Sequence, residues 1–68
     1  MPYRITFRPR SPIPGQGEQT IEEETAIAAW ALFQQLDASD ETVTSIKDPD
    51  GKTIGWQELR ARADREAN

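Results

Sequence analysis

The residues best equipped for chemistry in this chain are carboxylates and arginines. Asp48 and Asp50 flank a proline in DPDG, Glu22, Glu23 and Glu24 run consecutively, and Arg4, Arg8 and Arg10 stand near the start. Paired carboxylates serve as general acid and base or as hard-metal ligands, and arginines grip phosphates and carboxylates. Histidine and cysteine are absent, so the commonest general base and the thiol nucleophile are missing. Ser11, Ser39 and Ser45 have no evident base partner. The chain is therefore not expected to be an enzyme, and no cofactor or metal is expected.

The spacing around Asp48 tests a calcium loop directly. An EF-hand loop needs oxygen ligands at its first, third and fifth positions, glycine at the sixth and a bidentate acid at the twelfth. With Gly51 sixth, Ile46 falls first and Gln57 twelfth, and both ends fail. A turn accounts for every residue: Asp48 bonds back to the backbone, Pro49 presets φ, and Gly51 supplies positive φ. The glutamate run suits the first turn of a helix, where the helix dipole favours negative charge.

These side chains must be positioned by a small fold. The chain has 68 residues and fifteen large apolar ones, enough for one thin core in one domain spanning residues 1–68. YRITFR alternates apolar and polar residues, which predicts a strand over residues 3–8. A Pro/Gly loop over residues 9–19 follows, with Pro9 and Pro12 in a P-x-x-P spacing that also fits a polyproline ligand. Thr20 and Glu23 form a capping box, predicting a helix over 21–36 whose apolar face holds Ala26, Ala29, Trp30, Leu32, Phe33 and Leu36. TVTSIK and TIGW flank the DPDG turn as a hairpin over 42–55, pairing Lys47 with Thr53, Ile46 with Ile54 and Thr44 with Trp56. A last helix begins after Gly55, with Trp56, Leu59, Ala63 and Ala67 on one face and Glu58–Arg62 and Arg62–Glu66 as ion pairs. The expected class is α+β, in the order β-α-β-β-α, with a three-stranded sheet and both helices on one face. If the strand over 3–8 and the one after the first helix are parallel neighbours, their crossover is expected to be right-handed.

Net charge is −4, and it is segregated. Residues 1–17 carry only arginines, whereas 18–50 carry nine acids against Lys47. An acidic middle argues against nucleic acid as the main partner. Arg4, Arg8 and Arg10, with Tyr3 beside them, form a candidate binding strip, against the plainer reading that they solvate an open sheet face and discourage edge pairing. Trp30 and Trp56 are core candidates by helical position and interface anchors if exposed. No stretch reaches membrane-span length, and the absence of cysteine agrees with a reducing compartment, so a cytoplasmic location is expected.

The run SIKDPDGKTIGWQEL at 45–59, behind a strand and a capped helix, resembles small uncharacterised bacterial proteins of unknown function. That resemblance implies a stand-alone bacterial domain and transfers no catalytic residue. The functional expectation is a small interaction module that binds a protein partner, or a second copy as a homodimer, through the open sheet face or the 9–19 loop. The alternative is weak nucleic-acid binding through the N-terminal arginines.

Overall fold

The computed structural model describes residues 2–9 and 17–68. Its elements are β1 (Tyr3–Pro9), β2 (Gln19–Glu23), α1 (Ala26–Asp37), β3 (Glu41–Lys47) and α2 (Trp56–Ala67). This is the expected α+β class, with a three-stranded antiparallel sheet and two helices. The segments that supply the sheet differ from expectation in one place: its third strand is β2, and the arm after the DPDG turn contributes a single bridge, Lys47 to Thr53.

The strand order is β2-β1-β3. β1 is central because its alternation is the strongest in the chain: Tyr3, Ile5 and Phe7 are buried while Arg4 and Arg8 face out. β2 pairs with it from Tyr3–Glu23 to Phe7–Gln19, and β3 from Arg4–Lys47 to Pro9–Glu41. Both neighbours run antiparallel to β1, so β2 and β3 run parallel to each other with α1 linking them across the centre. The first strand and the one after α1 are therefore antiparallel neighbours, not parallel ones. The β1–β3 register slips between Thr6 and Phe7, leaving Thr44 as an extra residue. Such a bulge bends the strand and twists the sheet locally.

The expected helix start at Thr20 is displaced. Gln19–Glu23 is strand, and α1 begins at Ala26 with Thr25 as its N-cap. The capping-box pattern gave way because β1 needs a ladder partner on its second edge, and cross-strand pairs reward the same residues: Thr6 and Thr20 hydroxyls lie 3.0 Å apart, and Arg4 faces Glu22 at 3.8 Å. The 9–19 loop falls chiefly on residues outside the described ones.

The start of α1 is capped by α2 across forty residues of chain. Glu66 accepts from the Ala26 amide through Oε2 at 2.9 Å and from the Ile27 amide through Oε1 at 3.1 Å, and the Thr25 hydroxyl accepts from the Ala28 amide at 3.1 Å. All three leading amides are thus satisfied before the first helical bond, Ala29 amide to Thr25 carbonyl. The helix has no acid in its own first turn, and Glu66 supplies the negative charge that its dipole favours. The expected Arg62–Glu66 pair is replaced by this clasp, whereas Glu58–Arg62 forms at 3.0 Å. Glu66→Ala is expected to lower stability by about 1 to 2 kcal/mol in urea titration, the range of lost helix caps. An unchanged midpoint would show that water replaces the carboxylate without loss.

Both helices cover the same sheet face. The core consists of Tyr3, Ile5, Phe7 and Ile46 from the sheet, Ala26, Ala29 and Leu36 from α1, and Leu59 and Ala63 from α2. Alanines at the helix contacts let α1 and α2 approach closely over so narrow a sheet. Trp30, Leu32, Phe33, Val43 and Ile54 pack at the margin.

Candidate functional site

The DPDG turn is built as a turn. Gly51 donates to the Asp48 carbonyl at 2.9 Å with φ of 85°, and the Asp48 amide donates to the Lys52 carbonyl at 2.9 Å. Ile54 then donates to the Ile46 carbonyl at 2.8 Å. The hairpin stops there because Gly55 is the N-cap of α2, so the expected Thr44–Trp56 pair does not form. The Asp48 carboxylate is buried and engaged: Oδ1 accepts from the amides of Asp50 (3.0 Å) and Lys52 (2.8 Å), and Oδ2 lies 3.2 Å from Arg62 Nη1. Its acidity is raised, foremost by the Lys52 amide, against the opposing effect of burial, with Asp50 and Arg62 adding to the shift. Arg62 is in turn held protonated, chiefly by Glu58 and then by Tyr3. The aspartate therefore ties the turn to α2.

The proposed N-terminal strip is divided by the pleat. Tyr3 is 7% exposed on the core face and does not stand with the arginines, since odd positions of β1 point inward. Arg4 and Arg8 are exposed on the opposite face; Arg10 lies outside the described residues. On that face Arg4 sits between Glu22 and Lys47, and Thr6 between Thr20 and Ser45. Thr44 Oγ1 is within reach of the Thr6 carbonyl (3.2 Å) and the Glu18 carboxylate (2.9 Å). Glu18 and Glu22 stand among Arg4, Arg8 and Lys47 on this face, which reduces the positive field that phosphate-backbone binding draws on.

A different surface is apolar and open. Trp30 stacks on Phe33 with ring centroids 5.4 Å apart, and on Trp56 at 6.3 Å. Trp56, expected in the core, is 44% exposed. It occupies the first helical position of α2, one turn ahead of buried Leu59, so its ring overruns the end of the core and lies along α1. Beside this stack runs a groove of about 350 Å³ between β3 and the Thr53–Trp56 arm, floored by Phe33 and bordered by Asp37 and Glu41. A second hollow, also lined by Trp30, Phe33 and Trp56, reaches Gln34, Asp37 and Ala38. Tryptophan as an interface anchor was legible in the sequence. The groove was not, because it depends on the hairpin arm turning away from β3 after Ile54.

Among the described residues no helix is long and apolar enough to cross a membrane. No family model matches the chain, and comparison with curated proteins and with solved structures finds no match.

Proposed function

We propose that this protein is a small interaction module that holds a segment of another protein in the groove beside Trp56. The observation that carries the reading is the half-exposed Trp56 stacked on Trp30 and bordering that groove. Flat aromatic rings present large contact area at low conformational cost and dominate binding hot spots. A chain with so thin a core would gain stability by burying Trp56, and its exposure points to use. The module belongs to a reducing compartment such as the cytoplasm, consistent with the lack of cysteine.

Panning a displayed library of random peptides, each about twelve residues long, on the immobilised protein tests this reading. Enriched peptides are expected to lose roughly thirtyfold in affinity for a folded Trp56→Ser variant, the scale of a hot-spot residue, and to retain affinity for an Arg4→Glu/Arg8→Glu variant. Loss on the arginine variant with full binding to Trp56→Ser would move the site to the open sheet face. A library that yields no enrichment would reject the module itself.

A further inference from the structure

Resting on that reading, we infer that the hollow lined by Trp30, Phe33, Trp56 and Asp37 is an arginine site, taking the guanidinium of an arginine on the partner segment. Three observations converge on that cation.

The first is the way the rings lie. Trp30 is tilted only 12° from Phe33 and 21° from Trp56, so the three planes run nearly parallel. A cage for a round cation such as trimethylammonium closes ring faces around it from several sides, whereas a nearly parallel set offers its faces in one direction. A flat cation extends such a stack by one more layer, and guanidinium is the flat cation among the side chains.

The second is a conflict at the end of α1. The carbonyl end of a helix carries partial negative charge and favours a base there. α2 follows that rule, with Glu58 in its first turn and Arg65 in its last. α1 breaks it, because its last residue is Asp37 and its last turn holds no base. Asp37 is exposed, and among the described residues its carboxylate forms no ion pair. Local rules broken without an internal remedy cluster at functional sites. A guanidinium here neutralises the carboxylate and the helix end together, and its fork matches a carboxylate with two parallel hydrogen bonds.

The third is that rings and carboxylate share one hollow. Asp37 and all three rings line it, with Gln34 beside them, and none of the described residues lining it is a lysine or arginine. Its volume of about 590 Å³ admits the head group on Asp37 and the methylene stem along the rings. The chain's net charge of −4 favours a basic partner over a second copy.

The peptides enriched above are the probe, and they are expected to share an arginine. Two replacements of that arginine separate its properties: citrulline keeps the plane and loses the charge, and lysine keeps the charge and loses the plane. On the parent protein citrulline should lower affinity about tenfold and lysine about threefold. On an Asp37→Asn variant the citrulline loss should shrink to about threefold, the mark of direct coupling between the two positions. That variant keeps its fold, since Asp37 is exposed and its charge opposes the helix dipole. Enriched peptides without a shared arginine, an undiminished citrulline loss on Asp37→Asn, or lysine binding as tightly as arginine would overturn the arginine site, while the module stands on the Trp56→Ser result. Self-association of the peptide-free protein in sedimentation that Asp37→Asn abolishes would assign the hollow to a second copy and overturn it equally. A library without any enrichment removes both readings together.

Discussion

Leu59→Ala is expected to cost about 3 to 5 kcal/mol and to leave the chain largely unfolded at room temperature. Leu59 is fully buried, the largest such side chain together with Ile5, and it is where α2 enters the core. Removing a buried leucine forfeits its transfer free energy and leaves a cavity that rigid surroundings fill only in part. The rest of the core cannot absorb the loss, because a domain of this size with no cysteine to form a disulfide rarely exceeds about 3 to 5 kcal/mol in total. Neighbouring Ala26, Ala29 and Ala63 are too small to lean into the void. Leu59→Met, which conserves volume, should stay within about 1.5 kcal/mol. Thermal melts followed by circular dichroism separate the two; a Leu59→Ala protein melting within a few degrees of the parent would mean that the helices slide together and close the gap.

The second large effect concerns Asp48 and acid. Its carboxyl is more acidic in the fold than in the open chain, so the fold favours the ionised form. The contribution is complete above the open-chain value of 3.8 and is lost as pH falls through the lower folded value. Stability should therefore drop as the solution is acidified below about pH 4, and Asp48→Asn should flatten that part of the profile. At neutral pH Asn keeps an acceptor for the Asp50 and Lys52 amides but turns a second donor toward Arg62 Nη1, so the variant should melt well below the parent. Asp48→Ala loses every one of these contacts and should melt lowest. An Asp48→Asn protein with the parent's acid transition would assign that transition to other carboxylates.

What could be read from the residues follows how local the deciding interactions are. β1, the DPDG turn and α2 depend on alternation, on positive φ at Gly51 and on one apolar face, all set within a few residues, and they appear where expected. β2 does not, because Thr20 and Glu23 satisfy a helix start as well as a strand edge; only pairing with β1 decides between them. The sequence offers Glu22–Glu24 as the acid at the start of the helix, but the acid arrives from Glu66, and nothing short of tertiary packing reveals that. Tyr3 neighbours the arginines in sequence, but the period of a strand sends it to the other side of the sheet. Trp56 is a core candidate by helical position, but helical side chains tilt toward the N-terminus, so one in the first turn of α2 points past the start of the helix.

The placement of β1 also fixes an order of events during synthesis. The strand made earliest ends in the middle of the sheet, and its two partners emerge only at residues 19–23 and 41–47. Until both have appeared, Tyr3, Ile5 and Phe7 form an apolar strip with two unmatched edges, the kind of surface on which partly made chains stick together. Arg4 and Arg8 alternate through that same strip. Positive charge alternating through an apolar strand is one of the devices by which proteins discourage edge-to-edge pairing.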